Sequence, residues 1–135
     1  MARISVEVKR RSSYKNVEKQ YRGELKRIVK LITNDVRNFA LQNIAQGVKS
    51  GTLRPDGSRR SKAGEFPATD TGFLISNING NIQLGGLSGI VESMADYSEA
   101  LEFGTSKMGA RPFLQPSLEQ SRPKMKRLLG KIKVK

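Results

Sequence analysis

The chain has 135 residues, a length that suits one domain with a modest hydrophobic core. Its 25 lysines and arginines outnumber 12 aspartates and glutamates, and the formal charge of +13 favours an acidic partner: nucleic acid, a membrane surface or an acidic protein face. It has no cysteine and no histidine, which excludes disulfides, Cys/His metal sites and nucleophilic catalysis that depends on either residue.

Two hydrophobic patterns open the chain. Ile4, Val6 and Val8 alternate with polar residues, which predicts a strand at a sheet edge. From residue 13 to about 48, apolar residues recur at steps of three or four and predict one long amphipathic helix: Tyr14, Val17, Tyr21, Leu25, Ile28, Ile32, Val36, Phe39 and Ala40. Such a helix would be about 50 Å long, so we expect part of its apolar stripe to contact another subunit or layer. The alternative is two shorter helices broken near Gly23.

Residues 49–70 contain glycines, prolines and a Pro-Asp-Gly turn signal but no apolar period, so we predict a long flexible loop. We call this segment the basic arm and expect its cations to bind a phosphate backbone or an acidic protein groove: Arg54, Arg59, Arg60 and Lys62. A solvated flexible loop is the alternative. The arm lacks the Gly-Lys-Ser/Thr ending of a nucleotide-binding loop.

The next segment predicts a short helix followed by a hairpin. Asp70 or Thr71 is suited to cap the helix, and Leu74 lies one turn before Ile78. Alternating apolar residues, the Gly85-Gly86 pair and a second β-like run at residues 90–91 then predict two antiparallel strands.

The last third of the chain predicts two helices joined by a turn. Residues 96–103 form the first, which Gly104 ends in a left-handed conformation. Pro112 favours an extended backbone conformation at the residue before it. Pro116 suits the first turn of a basic C-terminal helix, which ends at Gly130. Its apolar face comprises Leu118, Ser121, Met125, Leu128 and Leu129. The chain is therefore predicted to be a single α+β domain, residues 1–135, in which an antiparallel sheet packs against one long N-terminal helix, with short helices and a basic C-terminal helix.

Charge is unevenly distributed along the chain. The net charge is +11 through residue 62, −6 over residues 63–105 and +8 from residue 106 onward. Opposite charges of this kind favour pairing between copies of one protein, and chance clustering is the alternative.

Carboxylates are the side chains of this chain best suited to catalysis or cation binding, since Glu99 and Glu102 are spaced to share a helix face. Carboxylates on a short exposed helix are usually solvated, so we predict no enzyme, no catalytic residue, no metal and no cofactor. The aromatic residues of the long helix lie on its apolar stripe, which favours a core position over base stacking.

Two blocks resemble the signature of tail-completion, or head-tail joining, proteins of long-tailed bacteriophages. The first, "SKAGEFPATDTGFL", is similar to Ser-Lys-Pro-Gly-Glu-Pro-Pro-Ala-x-Asp-Thr-Gly-x-Leu, with Ala63 and Phe66 in place of prolines. The second, "YSEALEFGTSKMGARPFLQP", is similar to Tyr-Ala, then Glu-Phe-Gly-Thr, then Ala-Arg-Pro-Phe-Leu, with Ser98 in place of alanine. The matching positions of the second block are Tyr97, Glu102, Phe103, Gly104, Thr105, Ala110, Arg111, Pro112, Phe113, Leu114 and Pro116.

The resemblance implies a structural virion protein of the phage neck or tail, a homo-oligomeric and hexameric ring that joins head and tail around the DNA channel. The implied partners are a head-connector or stopper protein, a tail terminator or tail tube protein, and the genomic DNA. A tail terminator, a head stopper and a basic nucleic-acid-binding module are the alternatives. The chain shows no signal peptide and no membrane span, so we expect assembly in the host bacterial cytoplasm.

Within the second block we expect three aromatic residues, Tyr97, Phe103 and Phe113, to anchor the turn to the core. We expect Arg111 to pair with Glu102 across that turn.

Overall fold

The computed structural model describes residues 2–7, 15–68 and 72–132, and for residues 15–20 and 84 it describes the backbone alone. Its elements, in chain order, are β1 (Ala2–Glu7), α1 (Lys15–Gln46), α2 (Phe73–Ser76), β2 (Ile78–Gln83), β3 (Ser88–Ser93), α3 (Ser98–Phe103) and α4 (Leu114–Gly130). The predicted α+β class is confirmed, because an antiparallel sheet packs against the long helix α1, with shorter helices and a C-terminal helix.

The sheet has the strand order β1-β3-β2, so β1 lies at an edge as the alternating pattern predicts. Ile4 pairs with Val91 and Ile78 pairs with Ser93, and both pairings are antiparallel. The predicted hairpin is present, and β2 and β3 are joined by the short 3-10 turn Leu84–Gly86. Ala2 and Val6 are buried on one face of β1, as expected for a half-buried strand.

Helix α1 covers the sheet with the stripe that its period predicts. Five of the predicted stripe residues are buried: Leu25, Ile28, Ile32, Val36 and Ala40. The backbone leaves helical geometry at Tyr21, with φ −114° and ψ 17°, two residues before Gly23. The side chains of Tyr14 and Val17 lie outside the described residues. A contact between this stripe and another subunit stays a prediction.

Helix α1 approaches the central strand closely where Thr33 faces Gly89. A Cβ atom at Gly89 would overlap the Thr33 hydroxyl, so the absence of a side chain there allows the helix to lie against the strand. The buried Thr33 hydroxyl donates to the Val29 carbonyl at 2.7 Å, which leaves no unpaired polar group at this contact.

The structure fixes where helices α2 and α4 begin. Helix α2 begins after Gly72, whose φ of 78° suits glycine, and the predicted capping residues, Asp70 and Thr71, lie outside the described residues. Helix α4 begins at Leu114, so Pro116 lies in its first turn as predicted, and Pro123 lies in its interior. Within the described residues, no helix combines the length and apolarity needed to cross a bilayer.

Candidate assembly surface

The two sequence blocks meet in the fold at the base of the basic arm. The Arg111 guanidinium donates to the Ser61 carbonyl from Nε at 3.3 Å and from Nη2 at 3.2 Å. The Gly64 N–H donates to the Ala110 carbonyl at 2.8 Å. Residues about 50 positions apart are thus joined by hydrogen bonds, and we call this contact of residues 61–64 with residues 109–111 the junction.

Glu102 binds the start of α4 and not Arg111, so the predicted ion pair is wrong. Its carboxylate is buried and accepts the N–H groups of Phe113 at 2.8 Å, Leu114 at 3.0 Å and Gln115 at 2.9 Å. These are donors that a helix N-terminus leaves without partners inside the helix, and a carboxylate satisfies both their hydrogen bonds and the helix dipole. Arg111 precedes Pro112 in an extended segment and is directed instead to the basic arm.

The three aromatic residues of the second block have different roles. Phe113 is fully buried in the core, as predicted. Phe103 is 75% exposed, so its predicted role as a core anchor is wrong: α3 buries Ser98 and Glu102, which turns Phe103 toward solvent. Tyr97 is 42% exposed, so its predicted role as a core anchor is wrong as well; its ring contacts the Phe73 ring, with 6.1 Å between ring centroids. Burial and the neighbouring Asp96 charge raise the pKa of Tyr97.

Gly104 directs the chain from α3 into the loop before the junction. Its φ of 76° and ψ of 176° lie in a region open essentially to glycine alone, and not in the left-handed helical conformation that we predicted. The extended ψ carries the chain away from α3, and a tight turn then forms in which the Thr105 N–H donates to the Met108 carbonyl at 2.8 Å. The Arg111 N–H returns to the Leu101 carbonyl at 2.6 Å, which fixes the loop against α3.

The basic arm contains a short hairpin of its own. Leu53 and Arg59 form an antiparallel bridge, and the Arg60 N–H donates to the Thr52 carbonyl at 3.0 Å. The predicted Pro-Asp-Gly turn reverses the chain, and Gly57 takes a φ of 91° there. Asp56 accepts both the N–H and the hydroxyl of Ser58, and these hydrogen bonds lower its pKa.

Glu65 closes the base of the basic arm. Its carboxylate accepts the Lys62 N–H at 2.6 Å, the Ser50 N–H at 3.1 Å and the Ser50 hydroxyl at 2.8 Å. The Lys62 and Ser50 hydrogen bonds lower the pKa of Glu65. The Lys49 ammonium donates to the Asn43 and Gly47 carbonyls at the end of α1, and its burial lowers the pKa of that lysine.

A cleft of about 230 Å³ opens between the basic arm and α3. Arginines and apolar groups line it together: Arg54, Arg60, Ser61, Pro67, Ala68, Leu101, Met108 and Arg111. We call it the arginine cleft. Of the four predicted arm cations it includes Arg54 and Arg60, whereas Arg59 donates to the Gly51 carbonyl and Lys62 is exposed beside Glu65.

Residues beyond the predicted cations complete the arginine cleft. Leu101 and Met108 are half-buried and belong to the second block. The resemblance to the family motifs pointed to this part of the chain, but not to these two residues. The alternation of polar and apolar residues carries no signal for such a cleft, because its walls come from segments far apart in sequence. The Glu-Phe-Gly-Thr and Ala-Arg-Pro-Phe motifs are the signal that identified the region.

An acidic surface with an exposed phenylalanine lies on the side of α3 opposite the arginine cleft. Glu99 and Phe103 lie one helical turn apart on α3, Asp96 lies in the turn just before the helix, and all three are exposed; we call them the acidic patch. Glu99 and Glu102 do not share a solvent-facing surface, since Glu102 is buried.

Comparison with models of known protein families, with curated proteins and with solved structures gives no match for this chain.

Proposed function

We propose that the chain is a structural, non-enzymatic virion protein of a bacteriophage neck, which assembles as a ring at the top of the tail and joins head to tail around the DNA channel. The proposal begins from the two blocks that resemble tail-completion proteins. The observation that carries it is the junction: the two blocks, distant in sequence, form one hydrogen-bonded unit at the base of the basic arm.

The junction gives the basic arm a defined direction. Arg111 binds the Ser61 carbonyl, Glu65 closes the arm's base, and Glu102 connects α3 to the start of α4. Arg59, Arg60 and Lys62 then remain exposed on a hairpin whose base is bound to the domain. Exposed cations on a preorganised segment suit contact with an acidic surface, because little conformational entropy is lost on binding.

In this proposal the partners are further copies of the chain, a head-connector or stopper protein, and a tail terminator or tail tube protein, with the genomic DNA in the channel. A hexameric ring is the expected assembly. Binding of labelled protein to isolated heads or to isolated tails would distinguish a head stopper from a tail-side protein.

A complementation experiment in the phage genome that carries the gene tests the proposal. The gene is deleted, and wild-type or variant protein is supplied from a plasmid during infection. We expect Arg54→Ser combined with Arg59→Ser and Arg60→Ser to leave separate DNA-filled heads and tails in electron micrographs. A matched control removes three exposed cations from the last turns of α4, by Lys126→Ser, Arg127→Ser and Lys131→Ser. Normal particles without any copy of the gene would refute the proposal.

A basic nucleic-acid-binding module is the second candidate, and the exposure of Arg59, Arg60 and Lys62 favours it. Nonspecific binding of this kind predicts dissociation constants of about 1–100 µM and a steep loss of affinity with salt. Fluorescence polarisation of a labelled DNA duplex measures both. No change in polarisation at low salt would exclude this candidate.

A further inference from the structure

The arginine cleft has the chemistry of a site for an apolar side chain with a carboxylate beside it. Leu101, Met108, Pro67 and Ala68 supply apolar lining, while Arg54, Arg60 and Arg111 supply positive charge. Nε, Nη1 and Nη2 of Arg111 each donate one hydrogen bond to a backbone carbonyl group. A guanidinium has further N–H donors, which a ligand in the cleft could use. The volume of about 230 Å³ is below the range of about 300–1,000 Å³ that drug-sized ligands occupy, which favours a single side chain.

The acidic patch presents the complementary chemistry. Phe103 is 75% exposed, so most of its ring is accessible to a partner. Glu99 lies one turn before Phe103 on the same face of α3, and Asp96 is exposed in the turn that precedes the helix. An exposed aromatic side chain with carboxylates near it thus lies on the side of α3 opposite a cleft that is apolar and arginine-rich.

We propose that the acidic patch of one copy docks in the arginine cleft of a second copy, with Phe103 on the apolar lining and the carboxylates of Asp96 and Glu99 at the arginines. Buried aromatic and arginine residues are the side chains that most often dominate binding energy at protein interfaces. The inference rests on the proposed function in one respect, since it names the contact through which neighbouring copies would assemble.

The geometry of α3 makes this contact directional. Leu101 lines the arginine cleft, whereas Phe103 belongs to the acidic patch, and residues two positions apart on a helix point about 200° apart. The two surfaces therefore lie on opposite sides of α3, which favours head-to-tail association over a reciprocal pair in which each copy fills the other's cleft. Each added copy leaves one patch and one cleft open, so association proceeds head to tail and closes as a ring if the rotation between copies allows it.

Single substitutions on each side test the contact. Phe103→Ser removes the aromatic side chain, and Arg60→Glu reverses one charge at the cleft; both residues are exposed, so we expect the fold to be retained. Analytical ultracentrifugation should show an increase of about 30-fold in the dissociation constant for either variant. Ile82→Thr is the control, because it removes an exposed apolar side chain from β2 and should leave the association unchanged.

A mixing experiment then tests the direction of the contact. The Phe103→Ser chain keeps an intact cleft, and the Arg60→Glu chain keeps an intact patch. An equimolar mixture should form a heterodimer and no larger species, whereas the wild-type chain continues to larger assemblies. Higher salt should weaken the heterodimer, because exposed charge pairs are screened.

Three results with the purified protein would overturn the inference. The first is a wild-type chain that stays monomeric at its solubility limit, and the second is unchanged association of Phe103→Ser. The third is DNA binding that Arg60→Glu abolishes while self-association persists, which would assign the cleft to nucleic acid. Normal head-tail joining with Phe103→Ser would also refute this contact and leave the proposed neck function standing. If head-tail joining proceeds without the gene, the neck function is refuted, and self-association of the purified protein can still be measured.

Discussion

Glu102 has the most specific role that the structure assigns to any single residue. Its two carboxylate oxygens accept three successive backbone N–H groups at the start of α4, and the side chain is buried. The residue comes from α3, so its hydrogen bonds connect the end of one helix to the beginning of the next. Removing the carboxylate would leave buried donors unsatisfied, which is more costly than losing an exposed hydrogen bond.

The first prediction concerns this carboxylate. Glu102→Ala should lower the free energy of unfolding by about 3 kcal/mol, because a helix cap and hydrogen bonds to a buried charged group are lost together. Glu102→Gln should cause a smaller loss, since its amide oxygen still accepts while its NH₂ faces backbone donors. Urea unfolding measures both. Glu99→Ala, on the exposed face of the same helix, should change stability by less than about 0.5 kcal/mol, and an equal loss at both positions would contradict the assigned role.

Glu65 is a second carboxylate that accepts backbone hydrogen bonds, but it lies at the base of the basic arm. Hydrogen bonds from Lys62 and Ser50 lower its pKa below the ordinary value of 4.5. A lowered pKa in the folded state means that the ionised group stabilises the arm above pH 4.5 and that this stabilisation is lost as the pH falls through the folded-state pKa.

The second prediction follows from this sign. In an NMR titration, the Glu65 carboxyl should titrate with a midpoint below 4.5, and the Ser50 and Lys62 amide resonances should move with the same midpoint. Between pH 6 and pH 7 these resonances should stay constant. The Glu65→Gln variant should lose the pH-dependent change. A midpoint at or above 4.5 would show that the carboxylate does not close the arm in solution.

At the scale of elements, the connection between α3 and α4 determines where the arginine cleft lies. Gly104 ends α3 with a backbone conformation that essentially only glycine adopts, and Arg111 returns its N–H to Leu101. The loop between them carries Met108, which lines the arginine cleft. The conformation of one glycine therefore sets the position of the loop against the basic arm.

The third prediction concerns that glycine. Gly104→Ala should lower the free energy of unfolding by about 3 kcal/mol, because its backbone angles strain any other residue and an added Cβ would lie 2.9 Å from the Ala110 nitrogen and 3.0 Å from the Met108 carbonyl oxygen. Thermal unfolding measures the loss. Gly23→Ala is the control, since an added Cβ there meets nothing within 4 Å, and alanine should stabilise α1 by about 0.5–1 kcal/mol. A neutral Gly104→Ala variant would show that the loop can adopt another conformation.

The whole molecule is organised around one core that α1 shares with the sheet and with α4. Ile32 and Val36 of α1 are fully buried, and Phe113 and Leu114 at the start of α4 belong to the same cluster. Lys124 pairs with Asp35 at 2.8 Å, which adds a polar contact between α4 and α1. A shared core predicts that the described elements unfold together.

The fourth prediction tests this shared core. Ile32→Ala should lower the free energy of unfolding by about 3 kcal/mol through the cavity that it leaves. Far-UV circular dichroism and tyrosine fluorescence should report the same shifted midpoint, because the helices and the surroundings of Tyr97 depend on one core. Two separate transitions would show instead that α4 or the sheet unfolds independently.

Features set by neighbouring residues were predictable. The alternation at Ile4 and Val6 predicted an edge strand, the helical period over Leu25 to Ala40 predicted the buried face of α1, and the Pro-Asp-Gly sequence predicted the turn of the basic arm. The exposure of Phe103 was missed, since α3 is too short for a clear period to show which face it buries. Arg111 was identified as important, but its partner was assigned by charge alone.

By itself, the sequence determined the elements, their order and the separation of basic and acidic segments, because these depend on residues close together in the chain. The tertiary structure decided that Glu102 binds the backbone of α4, that Arg111 binds the Ser61 carbonyl, and that the arginine cleft and the acidic patch lie on opposite sides of α3. Buried donors and acceptors must find partners wherever the fold places them, so the partners of Glu102 and Arg111 depend on packing between distant segments and not on their own charge.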